Sequence, residues 1–194
     1  MIRAIVFDCF GVLYVDPSLL FYEREVENYS ELRIEISDID KRYDYGYIND
    51  LEHAHEIAAI TGLDEDFIRQ NVRGQHTLND SLLSYSQELR SDYKVGMLSN
   101  IGHGGMESFF SGDEQSQLFD ATVLSSDVGA IKPSPEAFYI TAEKLGVRPE
   151  ECVMIDDRKD NVDGAIAAGM QAIWYKTNEQ CIAELGEILG QKNA

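Results

Sequence analysis

Six polar side chains of the kinds that bind metal ions and anions stand at or shortly after the ends of short apolar runs in this sequence. They are Asp8, Ser99, Asn100, Lys132, Asp156 and Asp157. A single polar residue after a strand is common, and the dipeptide Ser-Asn by itself is typical of a turn. Their occurrence after successive runs is more specific, because ligands of an open α/β sheet bind beyond the carboxyl ends of its strands. We therefore expect these side chains to converge on one site.

Five apolar runs predict the buried parallel strands that would position this site, since each ends on polar or glycine-containing sequence. They are Ile2–Phe7, Lys94–Leu98, Ala121–Leu124, Cys152–Ile155 and Ala172–Tyr175. Three helical patterns follow the later runs, at Ser134–Leu145, Asn161–Ala168 and Glu179–Leu189. Strands that alternate with helices in this way predict a doubly wound, Rossmann-like α/β sheet.

The gap between the first two runs is too long for one helical crossover and indicates an inserted unit. Four helical patterns fill it, at Leu19–Ser30, Ile36–Tyr45, Asp50–Thr61 and Asp64–Arg73. We therefore expect a small helical cap at residues 16–79 and an α/β core made of residues 1–15 and 80–194. Residues 23–66 hold fourteen Asp and Glu against four Lys and Arg, which is typical of a solvated face.

The amino-acid composition limits the classes of molecule that this chain could bind. The chain has 194 residues and a formal net charge of −19, so its surface should repel nucleic acid and anionic lipid headgroups. No apolar run reaches the roughly 18 residues of a membrane-spanning helix. The three cysteines lack metal-ligand spacing and favour a reducing, cytoplasmic setting. An anionic substrate would require positive charge concentrated locally at its site.

Four segments, in this order, resemble the motifs of the haloacid dehalogenase superfamily. They are Asp8-x-x-Gly11-Val12-Leu13, Leu98-Ser99-Asn100, Lys132-Pro133-x-Pro135-x-x-Phe138 and Ile155-Asp156-Asp157. The resemblance covers the whole chain, because the helical insert corresponds to the cap that this family carries after its first motif. It implies that Asp8 is a catalytic nucleophile and that Lys132 screens its charge. It further implies that Ser99, Asn100 and Lys132 bind phosphate.

The resemblance also implies a Mg²⁺ site. Asp8, Asp156 and the backbone carbonyl of Phe10 would ligate the ion, and Asp157 would hold a metal-bound water. The physical chemistry agrees, because three adjacent carboxylates repel one another strongly without a cation. Mg²⁺ prefers hard oxygen ligands from one or two carboxylates together with water and substrate oxygens.

One position departs from the phosphatase pattern of the family. Phosphatases usually place a second aspartate two residues after the nucleophile, as general acid and base, but here that residue is Phe10. An aromatic residue resembles the dehalogenase branch, whereas the acid pair Asp156-Asp157 resembles the metal-dependent phosphatases. Without the second aspartate, turnover should be slow and good leaving groups should be preferred. His103 is either a substitute proton carrier or a solvated loop residue, and a carboxylate of the cap is the other candidate for a substitute.

We predict a Mg²⁺-dependent phosphatase that hydrolyses a small phosphorylated metabolite, such as a sugar phosphate, through an aspartyl-phosphate intermediate. The alternatives are a 2-haloacid dehalogenase-type hydrolase and a weakly active family member that binds a phospho-ligand. The expected partner is this small-molecule substrate, without nucleic acid or membrane. The protein is expected to be a monomer or a homodimer.

Overall fold

The structure is a computed structural model that describes residues 1–15, 18–73 and 76–190. Its strands are β1 Ala4–Phe7, β2 Tyr14–Val15, β3 Thr77–Leu78, β4 Lys94–Ser99, β5 Ala121–Leu124, β6 Cys152–Asp156 and β7 Gln171–Trp174. Its α-helices are α1 Ser18–Glu25, α2 Tyr29–Asp44, α3 Asp50–Thr61, α4 Glu65–Arg73, α5 Asp80–Leu89, α6 Gly112–Leu118, α7 Ser125–Val128, α8 Pro135–Leu145, α9 Lys159–Ala167 and α10 Asn178–Leu189.

A five-stranded parallel sheet forms the centre of the molecule, in the order β5-β4-β1-β6-β7. Ala4 of β1 pairs with Lys94 of β4 on one side and with Cys152 of β6 on the other. The ends of β1, β4 and β6 therefore lie side by side. This confirms the predicted doubly wound α/β sheet, with β7 beginning one residue earlier than the predicted run.

Both faces of the sheet are covered, which explains why its strands are continuous apolar runs rather than alternating ones. Ile5 and Phe7 of β1 face a cluster that includes Leu82 of α5, whereas Ala4 and Val6 face a second cluster. All four β1 side chains are fully buried. The sheet is therefore a rigid support for the residues that follow its strands.

Helices α1–α4 pack around a hydrophobic cluster of their own, which includes Tyr22, Ile36 and Ile57. The short antiparallel ribbon of β2 and β3 joins the two ends of this segment, with Tyr14 opposite Leu78. The proposed cap limits at residues 16 and 79 remain a prediction. Residues 16 and 17 at the first limit, 74 and 75 within the cap, and 191–194 at the end of the proposed core lie outside the described residues.

The predicted limits of the first two cap helices were wrong. The break falls at residues 26–28, and α2 already begins at Tyr29 rather than at Ile36. The physical reason is that Leu32, Ile36 and Ile39 form one apolar stripe at helical spacing that packs into the α1–α4 cluster. That stripe continues the helix toward its N-terminus through a polar stretch of sequence.

The sequence interpretation missed helix α5. Asn79 caps its first turn by accepting a hydrogen bond from the backbone N–H of Leu82, and Leu82, Ser86 and Leu89 form its buried face. An asparagine before a run with this spacing is a recognisable start signal. Among the described residues, no helix has the length and apolar character needed to cross a membrane.

Candidate active site

A buried lysine bridges two aspartates where the sheet ends. The Nζ atom of Lys132 lies 2.7 Å from Oδ1 of Asp8 and 2.7 Å from Oδ2 of Asp156. Lys132 and Asp156 are fully enclosed, and Asp8 is 5% exposed. The parallel register of β1 and β6 brings the two aspartates together, because each residue follows or ends one of two neighbouring strands. The predicted convergence of these three residues is therefore what the structure shows.

The pKa values of Asp8 and Lys132 are both raised, which favours the neutral form of the acid and the charged form of the lysine. Burial, followed by repulsion from Asp156, raises the pKa of Asp8 well above its usual value, although Lys132 acts in the other direction. Burial alone would lower the pKa of Lys132, but attraction to Asp156 and Asp8 outweighs it and raises that pKa. The ammonium ion is thus held charged next to a carboxyl group that resists ionisation.

The N-terminal region of α9 holds Asp156 in place. Its Oδ1 atom accepts a hydrogen bond of 2.9 Å from the backbone N–H of Arg158. The amide of Asn161 donates to both carboxylate oxygens of Asp156, at 3.0 and 3.1 Å. Asn161 is buried and lines the same cavity as Asp8. Asn161 therefore positions the Asp156 carboxylate.

Asp157 completes a cluster of three carboxylates. One oxygen from each of Asp8, Asp156 and Asp157 lies within 4.8 Å of the others. Space for the Asp157 carboxylate comes from Gly11, because a Cβ on that residue would lie 2.3 Å from Asp157 Oδ2. Gly11 also has φ +84°, a conformation that favours glycine. The indole N–H of Trp174 donates to the backbone oxygen of Asp157 at 2.8 Å and anchors its loop.

These residues fit a divalent cation. With all three acids ionised, the cluster and its one ammonium group would carry two negative charges, which a divalent cation would cancel; such a cation would also favour ionisation of Asp8. The donor set consists of hard oxygens, as Mg²⁺ requires. Close by, the Oγ atom of Ser99 is buried without a hydrogen-bond partner in the described part of the chain. An unsatisfied buried hydroxyl is costly unless a ligand or water reaches it.

The two phosphate-binding candidates after β4 differ in position. Ser99 is fully buried and is not among the residues that line the cavity. The side chain of Asn100 binds the backbone of Lys132 twice, since its Oδ1 accepts from Lys132 N at 2.9 Å and its Nδ2 donates to Lys132 O at 3.0 Å. The Asn100 amide thus fixes the segment that carries Lys132. Phosphate binding by either residue remains a prediction.

A cavity of about 240 Å³ opens above this cluster. Asp8, Lys132 and Asp157 lie on the sheet side of its lining, and Phe10 contributes an aromatic ring. His103, one candidate proton carrier, is not part of the lining; its side chain is exposed and stands 3.4 Å from Asp127. Of its two predicted roles, the structure favours the solvated loop residue.

Sequence reasoning did not identify which residues of α1–α3 line the cavity. Helices α1–α3 contribute Tyr22, Asp40, Tyr43, Asp44 and His53. No metal-ligand spacing marked the histidines, and the acidic residues resembled an ordinary solvated face. The three residues of α2 share one signal, helical spacing, because positions 40, 43 and 44 lie on one side of that helix.

An aromatic group forms one side of the cavity. The ring centroid of Phe10 lies 4.8 Å from that of Phe109 and 5.2 Å from that of His76, and the last two are 5.0 Å apart. All three contacts are edge-to-face, a favourable geometry for aromatic pairs. Phe10, at the position where the family resemblance predicts a second acid, is therefore part of an aromatic surface.

Comparisons with known proteins agree with this geometry. The family model described as haloacid dehalogenase-like hydrolase matches residues 2–169. The human N-acylneuraminate-9-phosphatase is 30% identical over 115 residues, which are 58% of this chain and 46% of that protein. The chain thus spans about half the length of the curated relatives it matches.

Two solved structures share the fold. A haloacid dehalogenase-family enzyme from Bacteroides thetaiotaomicron, in complex with magnesium and inorganic phosphate, has a TM-score of 0.73 at 22% identity, with 92% of this chain and 96% of that one covered. The L-2-haloacid dehalogenase of Xanthobacter autotrophicus has a TM-score of 0.66 at 22% identity, with 96% and 83% covered. The family match, the parallel sheet and the carboxylate–lysine cluster together identify the chain as a hydrolase of the haloacid dehalogenase-like family.

Proposed function

We propose that this hydrolase is a Mg²⁺-dependent phosphatase that acts on a small phosphorylated metabolite through an aspartyl-phosphate on Asp8. The observation that carries the proposal is the carboxylate cluster, in which Asp8, Asp156 and Asp157 approach within 4.8 Å around a single lysine. Such a cluster is electrostatically unfavourable by itself, so it is best explained by a cation. A dehalogenation site has no need of the additional acids.

Asp8 would act as the nucleophile. One of its oxygens forms a bond to phosphorus as the bond between phosphorus and the ester oxygen breaks, and the alcohol leaves after gaining a proton. Water then attacks phosphorus, which releases inorganic phosphate and restores the Asp8 carboxylate. Lys132, which contacts Asp8 directly, screens the negative charge of both reactants.

Asp8, Asp156 and the Phe10 carbonyl would hold the Mg²⁺ ion, with Asp157 on one of its waters. When bound, the ion supplies Lewis-acid charge stabilisation to the phosphoryl oxygens. Asn161 and the backbone N–H of Arg158 keep the Asp156 carboxylate oriented. Ser99 would donate its hydroxyl to the phosphate.

The relatives support phosphate ester chemistry. The curated proteins that match include N-acylneuraminate-9-phosphatase and a fructose-1-phosphate phosphatase from Escherichia coli, which is 40% identical over 55 residues. The Bacteroides structure contains magnesium and inorganic phosphate. A sugar-sized phosphate ester is consistent with a cavity of about 240 Å³, below the range of about 300–1,000 Å³ for sites that hold drug-sized ligands.

A second candidate, 2-haloacid dehalogenation, is favoured by one observation. Phe10 places a ring in the cavity where a phosphatase acid is usual, and displacement of a halide requires no proton donor. For a phosphatase, the same ring removes an acid–base group that typically contributes about 10²–10⁴-fold. We therefore expect slow turnover and a preference for good leaving groups such as sugar 1-phosphates or aryl phosphates.

The test is phosphate release from a panel of phosphorylated metabolites, with and without Mg²⁺. We expect Asp8→Asn to abolish release and chelation by EDTA to abolish it reversibly, while circular dichroism shows an intact fold. Asp113→Asn, an exposed acid on α6, makes the same charge change and should retain activity. Chloride release from 2-chloropropionate that needs Asp8 and persists in EDTA would support the dehalogenase instead.

A further inference from the structure

Asp40 of α2 and His53 of α3 form a hydrogen-bonded pair in the wall of the cavity. Nε2 of His53 lies 2.8 Å from Oδ1 of Asp40, and both residues are part of the lining. The His53 side chain is only 7% exposed, although it borders the cavity. An imidazole that a carboxylate holds beside a candidate active site is a group that can move protons there.

Contacts on both helices fix the position of this pair. Asn49 caps α3 one turn before His53, so the start of that helix is well defined. The ring of Tyr43, which is also on α2, packs 5.0 Å from the ring of His53. The main-chain oxygen of Asp44 accepts a hydrogen bond from Ser125 of the core. The last contact attaches the end of α2 to the core and holds the pair over the cavity.

The contact with Asp40 determines which nitrogen of His53 can exchange a proton. An ionised carboxylate only accepts hydrogen bonds, so Asp40 selects the tautomer in which Nε2 carries a hydrogen atom. The other ring nitrogen, Nδ1, makes no hydrogen bond with any residue that the structure describes. The carboxylate also stabilises the imidazolium ion that forms when Nδ1 takes up a proton. Nδ1 is therefore the atom of this pair that can serve a ligand in the cavity.

The place of His53 in the cavity suits the leaving group of a phosphate ester. In an in-line displacement, the attacking and leaving oxygens stand on opposite sides of phosphorus. Asp8 is on the sheet side of the cavity, so the leaving oxygen points toward the lining that α1–α3 contribute. A cavity of about 240 Å³ is small enough for one compact ester to touch both sides. Phe10 has no proton to supply.

We propose that His53 is the general acid and base of this site and that Asp40 positions it, which rests on the proposed phosphatase function. In the first step, the imidazolium ion donates its Nδ1 proton to the ester oxygen as that oxygen leaves phosphorus and Asp8 binds phosphorus. In the second step, the neutral imidazole takes a proton from the attacking water as the bond from Asp8 to phosphorus breaks. Inorganic phosphate is released, and the imidazolium ion is restored.

The test compares two esters of similar shape, 4-nitrophenyl phosphate and benzyl phosphate, in the presence of Mg²⁺. Nitrophenolate is a good leaving group without a proton, whereas the benzyl alkoxide needs one. We expect His53→Gln to lower kcat/KM for benzyl phosphate by about 10²-fold, but that for 4-nitrophenyl phosphate by less than about threefold. The preference for good leaving groups should therefore be greater in this variant than in the wild-type protein.

The role of His53 as a base is measured separately. The ratio kcat/KM covers only the steps up to release of the alcohol, whereas kcat also includes hydrolysis of the aspartyl-phosphate. With 4-nitrophenyl phosphate, His53→Gln should therefore lower kcat and KM together and leave kcat/KM nearly unchanged. A burst of nitrophenolate before the steady state should accompany this change.

His55→Gln is the matched control, because His55 is on the same helix but is exposed and contacts Glu65. It should leave the ratio of the two kcat/KM values unchanged. Asp40→Asn should raise the ratio in the same direction as His53→Gln but by a smaller factor, since Asp40 acts through His53. Loss of folded protein cannot imitate these results, because it lowers both kcat/KM values equally and cancels from their ratio.

An unchanged ratio in His53→Gln would overturn the proposal, as would an equal rise in His55→Gln. A rise confined to His76→Gln would assign the proton transfer to His76, which also lines the cavity, and would overturn it as well. Failure of the proposed function is distinguishable, because it appears as absence of Mg²⁺-dependent phosphate release from both esters by the wild-type protein.

Discussion

The pKa of an aspartate is raised at one end of the central sheet and lowered at the other. At the carboxyl end, Asp8 is buried next to Asp156, and its pKa is raised well above the usual value. At the amino end, Asp120 accepts a hydrogen bond of 2.9 Å from the backbone N–H of Val95 and lies 3.2 Å from Lys94 Nζ. Burial alone would raise the pKa of Asp120, but these partners and Arg90 lower it.

This difference distinguishes charged groups that stabilise the fold from charged groups that are arranged for function. At the amino end, the carboxylates of Glu151 and Asp120 have cations as neighbours, in the pairs Arg3–Glu151 and Lys94–Asp120. At the carboxyl end, like charges are gathered in a buried place at a cost to the free energy of folding. Residues with strongly perturbed pKa values cluster at functional sites, because binding a missing counter-charge offsets that cost.

Removing the lysine at the carboxyl end should have the largest effect on activity. We expect Lys132→Met to lower kcat/KM by about 10²–10³-fold, the range for a lost electrostatic donor to a transition state. Lys94→Met, at the amino end, should change kcat/KM by less than about twofold, because its partner Asp120 is remote from the cavity. Steady-state phosphate release measures both, and a loss below tenfold for Lys132→Met would remove this lysine from the reaction.

A second substitution tests the comparison at the proposed metal site. In Gly11→Ala, the new Cβ would lie 2.3 Å from Asp157 Oδ2, so we expect Mg²⁺ affinity to fall at least tenfold. Gly146→Ala is the matched control, since Gly146 also has a positive φ (+69°) but has open space around its Cβ position. Fluorescence of Trp174, the only tryptophan, reports binding because its indole contacts the Asp157 backbone. Equal affinities in the two variants would contradict the predicted role of Asp157.

The smallest expected effect is the contribution of Asp120, at the amino end of the sheet, to the free energy of unfolding. Because the pKa of Asp120 is lowered in the folded protein, its ionised form stabilises the fold above its unfolded pKa, and this contribution is lost as pH falls through the folded pKa. Asp120→Asn should therefore reduce the free energy of unfolding by about 1 kcal/mol at pH 7. Urea unfolding at decreasing pH should show the difference from wild type shrinking toward zero below about pH 4. A pH-independent difference would show that lost packing, not charge, is responsible.

The sequence alone predicted most of the fold, because the relevant signals are local. Each apolar run specifies a covered strand through its own composition, and the five strands of the central sheet differ from the predicted ones by at most two residues at either end. The two-residue strands β2 and β3 were not predicted. The predicted limits of α1 and α2 were wrong, because the packing of Leu32 against the α1–α4 cluster depends on helices later in the chain. A local pattern at residues 26–36 does not contain that information.

The sequence by itself also determined which charged residues meet at the carboxyl end. Asp8 and Asp156 follow or end strands, Lys132 follows another, and parallel strands place their carboxyl ends at one edge whatever the details of packing. Only the tertiary structure decided what faces this cluster. The position of the Asp40–His53 pair over the cavity, and of His103 outside it, depends on how α2 and α3 pack on the core. Contacts between segments so distant along the chain follow from the combined packing of many side chains, which no single motif encodes.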